Sequence, residues 1–268
     1  MSLLFPEKIR IGLGASYAVL AQIKGGVVSS WRMQTWQPTS ATAWQQPLAA
    51  ATSWLAELSP RNAHVGVVLS AELAPLQLLP WRDDVVGAEQ QSLLASAHFR
   101  QIHGGVAEHW KVLAQPTGYG KAWLASATDE HLLKALTEQV RATGARLASV
   151  TPLTMSLFNA LHARLGESAC WLLVPEPQRL TALHSRESQW SLLQTLPMAA
   201  LQREPLADLL LRETRLTGLP DVVSKVYLAT GGLPAAPFDS TCIALDPGWR
   251  FAAGVPPESP LHLLGGRS

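Results

Sequence analysis

The sequence predicts an α/β protein of two lobes. Three observations carry that prediction: β-rich segments separated by glycine turns open the chain, the same arrangement returns from Ala169, and helical periodicity follows each set. In the first set, residues 8–15, 17–24 and 27–34 are rich in strand formers, and Gly14, Gly25 and Gly26 supply turns. In the second, residues 169–174, 179–184 and 188–195 repeat the order, and AQIKGGVVSSWRMQT is echoed by TALHSRESQWSLLQT.

The remaining elements follow along the chain. Residues 40–58 read as a helix capped by Ser40 or Thr42, with Ala43, Leu48, Ala51, Trp54, Leu55 and Leu58 at helical spacing. Strands are expected over 64–70 and 75–79. Pro80, Trp81, Arg82, Asp83 and Asp84 then lead into a helix over 86–103, where acids at the start favour the helix dipole. Residues 110–114 and 122–127 read as strands paired through a turn at 116–120. A helix over 129–143 is closed by Gly144, and a strand at 147–150 and a helix over 152–165 follow. After the second set come a helix over 204–217 and a strand over 225–230 that runs into Gly231 and Gly232. Residues 254–268, rich in Gly, Pro and Ser, are expected to be loose. The expected division is a first lobe over 1–150, a small subdomain inserted at about 72–145, and a second lobe over 151–268.

Composition excludes several classes. The chain is 47% hydrophobic and 15% charged, which argues against disorder. A net charge of +1 supplies no field to draw in nucleic acid or an anionic membrane. Cys170 and Cys242 lie in apolar contexts without a CxxC, as expected of buried, reduced thiols in a cytosolic protein. The opening MSLLFPEKIR has no basic region followed by an apolar one, so it does not read as a signal peptide. No run approaches the ~18 apolar residues of a membrane span, so no direct membrane insertion is expected. Ten tryptophans suit a core and also suit protein contacts.

The order of elements resembles the actin-like ATPase superfamily, which has a ribonuclease H-like fold. Within it, the chain resembles the type IV pilus assembly protein PilM and the cytoplasmic domain of the type II secretion L protein. Ile11, Gly12, Leu13, Gly14, Ala15 and Ser16 stand where that family has its first phosphate hairpin. Gly14 and Ser16 fit the pattern, but Gly12 stands in place of the Asp. Pro175, Glu176 and Pro177 stand where the second hairpin has Asp-x-Gly. Residues 226–232 resemble the adenosine motif, an apolar strand running into a glycine pair.

The resemblance implies a vestigial nucleotide site at Gly14, Ser16, Gly231 and Gly232. In active members the two Asp residues hold Mg²⁺ through water, and both are missing here. Pro175 and Pro177 also remove two N–H donors. Glu176 is one residue out of place, and such a slip turns a strand side chain to the other face. No catalytic set, no metal site and no cofactor are therefore expected, ATP being the cofactor of an active relative. Gly118, Gly120 and Lys121 do not make a P-loop, because Gln115 stands where its first glycine should be. Gly12 and Gly14 do not make a dinucleotide fingerprint, because Tyr17 takes the place of the third glycine.

By resemblance, the expected role is that of a non-catalytic cytoplasmic scaffold recruited to the inner membrane. Its implied partners are an inner-membrane assembly protein with a cytoplasmic tail and a secretion ATPase. The implied groove is near residues 76–121, and Leu79, Trp81, Arg82, Trp110 and Tyr119 are the candidate contact residues. The alternative is an ATPase or small-molecule kinase of the same superfamily, and the two missing Asp residues discriminate against it.

Overall fold

A computed structural model describes residues 8–37, 43–166, 169–187, 189–218, 224–230, 238, 241–255 and 259–266. Each half of the chain begins with a three-strand meander. In the first half these are β1 (Lys8–Leu13), β2 (Tyr17–Lys24) and β3 (Val27–Thr35). With β4 (His64–Leu69) and β8 (Arg146–Pro152) they form a five-stranded sheet of order β3-β2-β1-β4-β8. In the second half, β9 (Cys170–Pro175), β10 (Arg179–Arg186) and β11 (Gln189–Pro197) join β12 (Lys225–Ala229) and β13 (Cys242–Leu245) in the order β11-β10-β9-β12-β13. In both sheets the meander pairs are antiparallel and the last two pairings parallel.

The duplication extends to detail. The pairing of β2 with β3 shifts register between Gln22 and Ile23, and that of β10 with β11 shifts between His184 and Ser185. Each shift falls after the sixth residue of an eight-residue strand. A bulge bends a strand and increases its twist, so both sheets curl at the same place.

One face of the first sheet is covered by two helices. Ile9, Ile11 and Leu13 alternate toward α1 (Gln45–Glu57) and α3 (Glu130–Ala142), which bury Leu48, Ala51, Leu55, Leu132, Leu136 and Val140 against them. Asp129 caps α3 by accepting from the His131 N–H at 2.7 Å, and Gly144 ends it with φ +84°. Helix α1 begins at Gln45, later than its periodicity suggests, and the expected caps Ser40 and Thr42 lie outside the described residues.

Between β4 and β8 the chain inserts an antiparallel sheet of order β5-β7-β6, made of β5 (Leu76–Leu79), β6 (Trp110–Pro116) and β7 (Trp123–Asp129). Helix α2 (Ala88–His103) covers it, burying Ala95 and Phe99 against Leu79, Trp123, Ala125 and Ala127. Because α3 packs in the first-lobe core, the inserted unit is smaller than the expected 72–145. Asp83 and Asp84 do not start α2. They bind Trp81 and Arg82 instead, and Glu89 is the acid in the first helical turn.

In the second lobe, α5 (Leu206–Leu216) buries Leu206, Leu209 and Leu210 against Leu173, Leu180 and Leu228. Helix α4 (Leu153–Leu161) packs between the halves and contributes Leu153, Leu157 and Leu161 to a cluster drawn from both lobes. Cys170 and Cys242 are buried, and neither forms a disulfide.

One strand is unforeseen, and one further expectation is overturned. Strand β13, only four residues long, has no counterpart among the expected elements. The C-terminal segment is not loose over its described part. Phe251 bridges to Val28 at the edge of β3, and residues 259–266 then pack across β1, β2, β4 and α4, with Leu263 and Leu264 buried. A stretch assigned to the second lobe thus belongs structurally to both. No helix among the described residues is long and apolar enough to cross a membrane.

Candidate functional site

The two hairpin turns face each other across the cleft between the lobes. Residues 14–16 turn β1 into β2, and the Gly14 N–H donates to the Tyr17 carbonyl at 2.9 Å. A Cβ at Gly14 would lie 2.3 Å from the Tyr17 ring, so this glycine makes room for the tyrosine. Ser16 is buried, and its carbonyl accepts from the Trp36 N–H at 2.8 Å.

The opposite turn sends Glu176 into the cleft. One carboxylate oxygen accepts from the Tyr17 hydroxyl at 3.1 Å and the other from the Ala71 N–H at 3.0 Å. The one-residue offset does not turn Glu176 away, because β9 ends at Pro175 and strand alternation no longer applies in the turn. Glu72, just after β4, mirrors it. Its Oε2 accepts from the Ala15 N–H at 3.2 Å, and its Oε1 accepts from Arg179 Nε at 2.9 Å. Two carboxylates therefore tie each lobe to the other, and they hold the N–H groups of Ala15 and Ala71.

Burial dominates the electrostatics. It pushes the Glu176 carboxyl up to about 7, and the nearby Glu72 pushes the same way. The N–H of Ala71, the hydroxyl of Tyr17 and the charge of Arg179 oppose the rise. Burial first, then the charge of and hydrogen bond to Glu176, raise the Tyr17 phenol well above its ordinary value, so it stays a donor.

The cleft also holds the C-terminal segment. The Leu263 carbonyl passes so close to Gly12 that a Cβ there would come within 2.2 Å of its oxygen. His262 Nε2 donates to the Pro175 carbonyl at 2.8 Å. Trp249 Nε1 donates to the Gly265 carbonyl at 2.9 Å.

A nucleotide would need free N–H groups at the turns and an acid to hold Mg²⁺ through water. Here the Ala15 and Ala71 N–H groups already donate to the side chains of Glu72 and Glu176, so neither is free for a phosphate. Gly12 faces a peptide carbonyl, and Pro175 and Pro177 carry no N–H. The residues as arranged do not fit a nucleotide. Gly231 and Gly232 lie outside the described residues. Among the described residues, no group of three or more His, Cys, Asp or Glu is placed to hold a metal ion.

The candidate contact residues of the inserted unit separate into two kinds. Leu79 is 1% exposed and part of the core beneath α2, so no partner can reach it. The end of β5 points inward there, which the run Leu78–Leu79 could not reveal. Trp110 is half-buried against Phe99 and His103. Arg82 is exposed and forked onto Asp84 through Nε and a terminal nitrogen at 2.9 and 2.6 Å. Tyr119 is 87% exposed and packs edge-on to Trp81 at 5.1 Å, and Trp81 in turn covers the buried Trp123 at 5.8 Å. Trp81→Ala is expected to cost about 2 kcal/mol of stability, since the ring is only half-buried. Urea unfolding checks it, and a loss under about 0.5 kcal/mol, typical of a surface site, would remove Trp81 from the core.

The fold, though not the sequence, has counterparts among known proteins. No protein-family model matches the sequence, and no curated protein matches it. Solved structures do. The cytoplasmic domain of EpsL, an inner membrane component of the type II secretion system of Vibrio cholerae, is 13% identical with a TM-score of 0.58, over 96% of this chain and 92% of that one. A Bacteroides thetaiotaomicron protein with an actin-like ATPase fold and unknown function is 14% identical with a TM-score of 0.61, over 91% and 92%. A chain of the PilM-PilN type IV pilus biogenesis complex is 14% identical with a TM-score of 0.54, over 83% and 81%. The protein has the actin-like ATPase fold. Its resemblance to these structures is one of fold.

Proposed function

We propose that this protein is a non-catalytic cytoplasmic scaffold of a type IV pilus or type II secretion-like assembly, which holds the cytoplasmic tail of an inner-membrane partner. The observation that carries this reading is the cleft closed from within, by Glu72, Glu176 and residues 262–266. With that cleft filled, contact surfaces are what the fold offers. β6 is an edge strand of the inserted sheet. Beside it, where the insert meets the first lobe, lies a depression of about 110 Å³ lined by Lys111, Leu113, Leu133, Val150 and neighbours. Leu113 is 67% exposed. An extended tail could add to this edge and set an apolar side chain beside Leu113. The fold shared with EpsL, an inner membrane component, and with the PilM-PilN complex supports the same reading. Among the described residues, nothing in the cleft favours the alternative of an ATPase or kinase.

Leu113→Glu tests the surface. It should leave thermal stability within about 0.5 kcal/mol, as exposed substitutions do. In pull-downs from detergent-solubilised membranes of the native host, it should reduce capture of the partner at least about tenfold, or about 1.4 kcal/mol. A synthetic peptide of that partner's cytoplasmic tail should bind the wild-type protein and not the variant. Equal capture by both proteins, or a tail peptide that binds neither, rejects the reading.

A further inference from the structure

We propose that the inter-lobe cleft is a peptide slot, which the chain fills in cis with residues 262–266. The segment makes both apolar and polar contacts in the cleft. Leu263 and Leu264 supply the apolar contacts, buried in a cluster that draws Val19 and Val68 from the first lobe and Val174 and Tyr227 from the second. The groups that hold the segment's polar atoms belong to the body of the protein. Trp249 Nε1 donates to the Gly265 carbonyl at 2.9 Å, the Pro175 carbonyl accepts from His262 at 2.8 Å, and Ser156 Oγ accepts from the Gly266 N–H at 3.2 Å.

The slot is also selective for sequence. At Gly265, which has φ +74°, a Cβ would lie 2.1 Å from Ser156 Oγ, and at Gly266 it would lie 2.0 Å from the Ala160 methyl. The slot therefore demands two residues without side chains directly after two leucines. On the other side, Gly12 leaves the space through which the Leu263 carbonyl passes. The ligand class is thus a short apolar peptide of the form Leu-Leu-Gly-Gly, preceded by a hydrogen-bond donor. Contact with β1 and α4 on one side and with the β9 turn on the other makes this peptide a strap between the lobes. The proposal rests on the same filled cleft as the scaffold reading, but the slot is separate from the β6 edge, so failure of the Leu113 test alone leaves the slot standing.

The test uses the full chain with Leu263→Ser and Leu264→Ser together, which empties the slot, and a labelled peptide of residues 259–268 added in trans. Fluorescence polarisation should show the peptide binding the double variant at least about tenfold more tightly than the wild type, whose slot is occupied. A peptide with alanine in place of both glycines should bind at least about tenfold more weakly than the native one. Equal binding to both proteins, or indifference to the alanines, overturns the proposal. Hydrogen exchange on the wild type decides independently should the double variant fail to fold. The Gly265 and Gly266 amides should exchange at least about a hundredfold more slowly than in the free peptide. Exchange at the free-peptide rate overturns the slot, and so does strap protection that appears only with Mg-ATP.

Discussion

Gly12→Asp, which places an acid where the resemblance to actin-like ATPases would lead one to expect it, is expected to destabilise the protein by about 3 kcal/mol or more, and not to create Mg-ATP binding. The cause is local. Position 12 lies within β1, and an added Cβ would sit 2.2 Å from the Leu263 carbonyl oxygen and 2.7 Å from a Val19 methyl. Backbone cannot yield as a long side chain does, so overpacking alone costs about 1–3 kcal/mol. The carboxylate adds a charge facing a carbonyl oxygen in an apolar cluster, where an unpaired polar group costs further. Urea unfolding measures the loss, and calorimetric titration measures the binding. A stable variant that bound Mg-ATP in the low micromolar range, about 8 kcal/mol, would mean that the cleft is a nucleotide site short of one acid, and would reject both the slot and the scaffold reading.

How much of this is legible in the sequence depends on the range of the interactions. The two meanders are readable because strand alternation and glycine turns are local signals, and they place β2 to the residue. The inserted hairpin is readable for the same reason, with Gly118 and Gly120 at positive φ in its turn. Gly12 and the prolines at 175 and 177 point to an unusual cleft, but not to what fills it. The strap joins Leu263 to Gly12 and Gly266 to Ser156, and no periodicity records such distant pairs. Its Gly and Pro content signals looseness, whereas Gly265 and Gly266 are there because Ser156 and Ala160 leave no room for a Cβ. Glu176 is misread when strand alternation is applied one residue past the end of a strand. Leu79 is misread because an apolar residue beside Trp81 looks the same from sequence whether it faces the core or a partner.

The buried Glu176 should also make stability depend on pH, and the sign follows from its environment. Its carboxyl is raised to about 7 from an ordinary value near 4.5, chiefly by burial. The folded protein therefore holds this proton more tightly than the unfolded chain. The stabilisation is complete below about pH 4.5, declines as pH rises, and is lost above about pH 7. The full span is worth about 3 kcal/mol, because each tenfold gain in proton affinity contributes about 1.36 kcal/mol. Glu176→Gln should remove this slope, since a neutral amide keeps an oxygen for the Ala71 N–H and needs no proton. Other groups titrate in both proteins, so the informative quantity is the difference between variant and wild type. Urea unfolding at about pH 5 and about pH 8 should find that difference moving in favour of the variant by about 2–3 kcal/mol at the higher pH. No such movement would mean that Glu176 ionises freely, that water reaches it, and that the Tyr17–Glu176 contact does not seal the lobes. The expected result would instead mean that Glu176 is held partly protonated between the hairpins at neutral pH, and that rising pH costs stability by charging a buried group.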